Sequence, residues 1–141
     1  AQPPQMLADG EVVMTTAYNG RIFNAQMKEN KPFVIIWDHQ EYNMDYYAIL
    51  KGTKNKKRAL EYLKFATGTQ RLADSTKYIS YGPTRKSSIP LITTFAGTDV
   101  KMAPHMPTAP ANFKNALMTD NEWWADNQDE ILKRYSAWKV K

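Results

Sequence analysis

The sequence predicts an α/β fold, and three features of its 141 residues point to that class. Residues 11–18 are apolar and β-branched, as in a buried strand, and the Asn19-Gly20 turn after them leads into a helical pattern. Residues 33–37 form a continuous apolar run of the kind that a sheet buries on both faces. Two helical patterns follow between residues 55 and 77. Strands that alternate with helices are typical of a sheet covered by helices.

Composition agrees with a folded chain. Hydrophobic residues make up 43% and charged residues 23%, close to the usage of about 45–50% and about 25% in globular domains. This length can bury one core, either as a compact unit or as a piece of a larger domain. No apolar run approaches the roughly 18–20 residues of a membrane span, and residues 1–4 lack the pattern of a signal peptide. We expect a soluble chain whose export signal has been removed or lay upstream.

The basic charge of the chain is clustered. The formal net charge is +5, and residues 51–58 hold five Lys or Arg in eight positions. A solvated turn and helix start is the favoured interpretation of this run, and a phosphate or partner contact is the alternative. Because the clustering is confined to this run, we predict no nucleic-acid partner and keep nucleic-acid binding as the least favoured function.

The first fifty residues predict helices between strands. Asp9-Gly10 ends an opening helical segment. Asn19 is a suitable N-cap for a short helix over residues 20–28, and Lys31-Pro32 breaks that helix. The predicted strands occupy residues 11–18, 33–37 and 44–50, and a polar connection over residues 38–43 joins the last two.

The rest of the chain predicts three more helices and one irregular stretch. The clearest helix covers residues 55–67, with Gly68 as its stop, and another covers residues 70–77. Three prolines between residues 97 and 112 exclude a long helix, so we expect that stretch to lie on the surface. A capping box over residues 119–122 opens a final helix. The apolar stripe that should dock this helix consists of Trp124, Ile131, Tyr135 and Trp138.

The sequence lacks the residues and motifs of common catalytic and metal sites. Cysteine is absent, which excludes disulfides, thiol nucleophiles and thiolate metal ligands. His39 and His105 are the only histidines, and exposure without a role is the favoured interpretation of both. No His-Glu-x-x-His, Gly-x-Ser-x-Gly or Walker loop is present. We predict that the chain is not an enzyme and needs no cofactor or metal.

Aromatic and acidic residues crowd together where predicted strands meet polar connections. A carboxylate pairs with an ammonium group, and Tyr or Trp faces attract it through the ring quadrupole. A desolvated cation–π contact contributes about 2 kcal/mol and a charge-assisted hydrogen bond about 1.5–3 kcal/mol. Three or four such contacts, after ordering costs, give the roughly −8 kcal/mol of a micromolar binder. For Trp37 a place in the core is the favoured alternative. The candidate ligand-binding residues are Asp45, Tyr18, Asn43, Glu41 and Trp37.

Six segments in order carry a family resemblance: LADGEVVM at 7–14, AYNGR at 17–21, NMDYYAILKGTKN at 43–55, the helix through residues 59–65, YISYGPT at 78–84 and EWW at 122–124. Together they resemble the C-terminal half of the spermidine/putrescine-type periplasmic substrate-binding proteins of ABC transporters. That family has two α/β lobes, joined by crossing strands, that close over a ligand. The resemblance implies a partial periplasmic-binding-protein type II fold that lacks the family's N-terminal half.

The resemblance also implies a division of the chain between the two lobes. Residues 1–30 would end the second lobe, and residues 31–52 would hold the crossing strands. Residues 53–84 would form first-lobe helices and the return hinge. Residues 85–141 would complete the second lobe with the final helix, in which Trp123-Trp124 resembles a family signature but is best interpreted as core.

Roles for single residues follow from the same resemblance. Asp45 falls on the aspartate that faces a polyamine ammonium in the cleft, and Glu41 falls near the cleft mouth. Tyr18 and Asn43 fall where polyamine binders commonly have Trp, so the stacking surfaces are reduced. A shorter or zwitterionic amine is therefore an alternative to a polyamine, because backbone N–H groups after Asn19-Gly20 could receive a carboxylate.

We therefore expect a periplasmic protein that binds a small cationic or amine-bearing, polyamine-like solute between two lobes and delivers it to an ABC permease. In it Asp45 supplies the counter-charge, Tyr18 a stacking face and Asn43 a hydrogen-bonding group. The alternative is an interaction module whose apolar surface is covered by the missing N-terminal half or, after domain swapping, by a second copy.

Overall fold

The computed structural model describes residues 2–140, which contain five α-helices, two short strands and two 3₁₀ helices. In chain order these are α1 (Gln2–Ala8), α2 (Asn19–Glu29), β1 (Glu41–Tyr42), α3 (Lys56–Ala66), α4 (Thr69–Ser75), the 3₁₀ helices Lys86–Leu91 and Ala103–His105, β2 (Leu117–Met118) and α5 (Asn121–Lys139).

The predicted helices are confirmed, with small shifts at their ends. α1 stops just before Gly10, whose φ of 73° lies in the left-handed region that favours glycine. α2 begins at Asn19 itself, so the N-cap position belongs to Tyr18 and not to Asn19 as predicted. Gly68 follows α3 and is the N-cap residue of α4. Local periodicity and stop signals were therefore enough to predict these helices.

The predicted strands are wrong for residues 11–18, 33–37 and 44–50, which form no regular strand. The sheet within residues 2–140 consists of β1 and β2 in parallel, and β1 lies in the stretch predicted as a polar connection. Val34 is 84% exposed and Ile36 is 67% exposed. An apolar run of this kind needs a neighbouring strand and covered faces to form a ladder, and the described residues supply neither.

The core lies between α2 and the proline-containing stretch, which corrects the prediction that this stretch lies on the surface. Phe23 of α2 packs with Phe95, Met102 and Met106, all buried. The rings of Phe23 and Phe95 meet edge to face with centroids 5.3 Å apart, a favourable aromatic geometry. The prolines exclude a long helix as predicted, but they do not prevent the methionines between them from filling the core.

The polar connection is tied to the same stretch by side-chain hydrogen bonds. Gln40 Nε2 donates to the carbonyl oxygens of Pro107 and Asn112, both at 2.8 Å. Asn115 Nδ2 donates to Asp38 Oδ1 at 2.7 Å. These bonds join residues about seventy positions apart in the chain, and they hold β1 in register with β2.

The aromatic stripe of α5 is exposed, so the prediction that it docks is wrong for the described structure. Trp138 is 67% exposed, and Trp123 and Trp124, interpreted as core, are also in contact with solvent. The helix itself is well started, because Asp120 Oδ1 accepts a hydrogen bond from the Trp123 backbone N–H at 2.9 Å. Asp120 therefore takes the capping role predicted for Thr119.

The start of α2 lies against residues 79–81. A Cβ atom at Gly20 would lie 2.9 Å from Tyr81 Cε1 and 3.2 Å from Ile79 Cγ1. The first of these separations is shorter than real Cβ contacts allow, so glycine permits the close approach of the two backbones at this point.

We expect Gly20→Ala to lower the free energy of unfolding by about 1–3 kcal/mol, because the added methyl group overpacks this contact. Chemical denaturation of wild type, Gly20→Ala, Tyr81→Ala and the double variant forms a cycle. The double variant should lose clearly less than the sum of the single variants, since removing the Tyr81 ring makes room for the methyl group. Additive losses would show that the ring does not set the constraint.

The prediction that His105 is exposed is wrong, because its ring lies 5.0 Å from the ring of Phe23. Burial lowers the pKa of His105 below its usual value of 6.5. The unfolded chain therefore takes up a proton near pH 6.5 that the folded chain takes up only at lower pH. The free energy of unfolding should decrease as the pH falls from about 7 towards 5.

Denaturation curves across this pH range test the assignment. His105→Gln should remove the pH-dependent part, whereas His39→Gln, at the exposed histidine beside Asp38, should keep it. An unchanged pH dependence in His105→Gln would contradict the role of burial at this ring.

Candidate functional site

The N-terminal end of α2 combines positive charge with an exposed aromatic ring. Tyr18 is 72% exposed, and the guanidinium carbon of Arg21 lies 6.0 Å from the centroid of its ring. The first turn of α2 holds no acidic residue. The ion pairs within the described residues do not include Arg21. The positive end of the helix dipole and Arg21 together therefore favour an anionic group here.

Asn19 fixes this helix end to a distant part of the chain. Its Nδ2 donates to the Ser80 carbonyl oxygen at 2.5 Å and lies 3.2 Å from Ser80 Oγ. Ser80 is fully buried. Next to it, Tyr81 lays its ring on Gly20 while remaining partly exposed. The Tyr81 ring thus lies at the start of α2, next to the exposed residues Tyr18 and Arg21.

Asp45 lies in a second aromatic environment. It lines a shallow, open depression of about 290 Å³ with Tyr46 and Tyr47, both of them largely exposed. A carboxylate beside two phenol rings can accept hydrogen bonds from an ammonium group. The faces of the two rings can attract the same group. Tyr18 does not line this depression.

Two of the remaining predicted site residues, Glu41 and Asn43, have hydrogen-bond partners within the protein. Glu41 Oε1 accepts a hydrogen bond from Thr119 Oγ1 at 2.8 Å, across the β1–β2 pair. Asn43 Oδ1 accepts one from the backbone N–H of Met44 at 2.8 Å. Trp37 is half-buried. The structure thus gives Glu41 and Asn43 structural contacts, and it groups Tyr18 with Arg21 and Asp45 with its tyrosine neighbours.

Two residues with suitable chemistry were missed at the sequence level. Arg21 lies in the AYNGR segment, but a positively charged side chain is not an expected contact for a cationic ligand. Tyr81 falls in the return hinge that the resemblance implies, and its approach to Gly20, 61 positions away, leaves no local signal in the sequence. A charged residue in the first turn of a helix, with the wrong sign for the helix dipole, is the signal that could have singled out Arg21.

Another depression, of about 400 Å³, surrounds the start of α5 and is lined by residues 118–122. Of its two acidic residues, Asp120 is engaged as the cap of α5. Glu122 lies in the first turn of α5, where the helix dipole favours a negative charge.

Residues 2–140 hold no group of three or more His, Asp or Glu side chains that could bind a metal ion. No helix in that range combines the length and the apolar composition required to cross a membrane.

Comparison with known proteins agrees with a binding role. Residues 1–108 match the family model described as bacterial extracellular solute-binding protein. The gamma-aminobutyric acid-binding protein of Pseudomonas aeruginosa is 40% identical over 141 residues, all of this chain, and the chain spans 38% of that relative's length. The match covers most of the chain, including α2 and the segment that holds Asp45, so the chain belongs to the bacterial extracellular solute-binding protein family.

Proposed function

We propose that the protein containing this chain binds a small zwitterion with a primary amine at one end and a carboxylate at the other. The observation that carries this proposal is the pair of opposite charges on separate elements. Arg21 lies at the positive end of α2 without an acidic partner among the described ion pairs, and Asp45 lines a depression with the exposed Tyr46 and Tyr47. A γ-amino acid can offer its carboxylate to Arg21 and its ammonium group to Asp45.

The carboxylate end of the ligand belongs at α2. Backbone N–H groups in the first turn of a helix have no partner inside the helix, and they point at an approaching anion. The guanidinium group of Arg21 can add a bidentate pair to the same carboxylate. The sequence already suggested that backbone N–H groups after Asn19-Gly20 could receive a carboxylate, and Arg21 adds a charged group to that position.

The ammonium end belongs at Asp45. Its carboxylate supplies the counter-charge, and Tyr46 or Tyr47 supplies a ring face. Tyr18 and Tyr81 are exposed enough to border the aliphatic part of the ligand near α2. Trp37, Glu41 and Asn43 have weaker support, because two of them already have hydrogen-bond partners.

A diamine or polyamine fits this charge arrangement less well. Such a ligand carries an ammonium group at each end, and one of them would face Arg21 and the positive end of α2. The printed name of the relative from Pseudomonas aeruginosa also specifies an amino acid. We therefore propose a γ-aminobutyric acid-like ligand in place of the polyamine expected from the sequence.

The same proposal includes delivery of the solute to an ABC permease from the periplasm. The family description places its members outside the cell interior and assigns them solute binding. Binding between two lobes, with α2 and Asp45 on different parts of the chain, would let closure bring the two charged ends together.

Calorimetry on the natural full-length protein tests this assignment. We expect Asp45→Asn and Arg21→Gln each to weaken γ-aminobutyric acid binding by about 10- to 100-fold, the loss of one charge-assisted hydrogen bond. Lys28→Gln, an exposed cation at the other end of α2, is the matched control and should keep the wild-type affinity.

A ligand with only one of the two charged groups tests the ammonium contact and the carboxylate contact separately. Butylamine binding should fall in Asp45→Asn and persist in Arg21→Gln, because butylamine has no carboxylate. Equal affinity of all variants for the amino acid, or binding of putrescine in preference to it, would contradict the proposed ligand.

A second candidate function is an interaction module, which the exposed apolar side chains favour. Val34, Ile36 and Leu50 are each at least two-thirds exposed, and a single chain rarely leaves such a set uncovered. In this alternative a second copy of the chain covers these residues.

For the isolated chain of 16.2 kDa, this alternative predicts a dimer by light scattering after size exclusion. Ile36→Lys should then restore the single-chain mass, because a buried charge disfavours the contact, whereas Lys28→Gln should not. A single-chain mass for the unaltered sequence would exclude pairing with a copy.

A further inference from the structure

The start of α2 is held in an unusual way. The Tyr18 side chain makes no capping hydrogen bond, although Ser, Thr, Asp or Asn commonly supplies one at this position. Asn19 does not cap the helix either. Its Nδ2 points away from the helix and donates to the carbonyl oxygen and towards the hydroxyl of Ser80, 61 positions later in the chain.

The acceptor, the carbonyl oxygen of Ser80, belongs to a buried residue. Ser80 is fully buried, and its neighbours Ile79 and Tyr81 both contact the position of Gly20. Residues 79–81 therefore hold Asn19 and Gly20 at the start of α2. A hydrogen bond to a buried carbonyl oxygen is costly to lose, because no water replaces it.

This contact determines where the carboxylate end of the proposed site lies. Tyr18 and Arg21 flank the two held residues directly, and the Arg21 backbone N–H donates to the Tyr18 carbonyl oxygen at 3.0 Å. Asp45 belongs to a different segment. A shift of the α2 start relative to the rest of the chain would change the span between Arg21 and Asp45, and the contacts with residues 79–81 restrain such a shift.

We infer that the hydrogen bonds from Asn19 to Ser80 determine which ligand length the site accepts. Asn19 and Ser80 act as positioning residues that do not touch the ligand. Since an ω-amino acid must reach both charges, its number of methylene groups has to match their separation. The inference rests on the proposed function, and it adds a residue pair that controls selectivity.

The experiment compares ω-amino acids with two, three and four methylene groups, namely β-alanine, γ-aminobutyric acid and 5-aminovaleric acid. Dissociation constants are measured by calorimetry on the natural full-length protein. Wild type should prefer one length by about tenfold or more. Asn19→Ala should reduce this preference to about threefold or less, because a loosened helix start tolerates other lengths.

A matched control separates positioning from stability. Asn30 ends α2 with a φ of 49°, in the left-handed region, where alanine is strained. Asn30→Ala should lower the melting temperature and keep the wild-type length preference. Ser80→Ala keeps the main-chain acceptor and removes the hydroxyl, so it should give a folded protein with an intermediate preference even where Asn19→Ala unfolds.

The outcomes distinguish the inference from the function on which it rests. An unchanged length preference in Asn19→Ala or Ser80→Ala, alongside normal wild-type binding, overturns the inference and leaves the proposed function intact. Failure of the wild-type protein to bind any of the three amino acids overturns both.

Discussion

Phe23 of α2 packs against Phe95, Met102 and Met106, and the rest of the described structure depends on this contact. Two rings and two thioethers bury a large apolar area and adapt to irregular neighbours. Such a core can order a stretch whose prolines prevent a long helix. It also fixes the axis of α2, because Phe23 is one of the most buried residues of the chain. The helix start, four residues before Phe23, is held in addition by the contacts of Asn19 and Gly20 with residues 79–81.

The elements that the sequence predicts well are those that need only their own residues. Helices close their hydrogen bonds within a few positions, so periodicity was sufficient to predict α3 and α4, with Gly68 as the stop of α3. A parallel strand needs a neighbour, and residues 33–37 have none among the described residues. The family match confirms the partial periplasmic-binding-protein type II fold at the level of the family, while the division of the chain into lobes stays a prediction.

The candidate site shows the same limit. Asp45 and Tyr18 could be selected because carboxylates and aromatic rings in one region indicate a cation site, and as ligand contacts they stay predictions. Tyr81 could not, since its neighbour Gly20 is distant in sequence. Arg21 was overlooked for a chemical reason: a positive side chain is unexpected where the ligand was taken to be a simple cation.

The charge at the start of α2 gives a physical reason to prefer a zwitterion. Arg21 opposes the helix dipole, which costs about 0.3–1 kcal/mol at an exposed position, and neither an acidic residue in the first turn nor a side-chain cap offsets that cost. Local departures from favourable helix chemistry are expected at binding sites, where the ligand supplies the missing group. A carboxylate would satisfy the free N–H groups and the guanidinium together. An ammonium group would increase the positive charge at the same helix end, so the electrostatics that weaken free α2 support the proposal of a zwitterion over a polyamine.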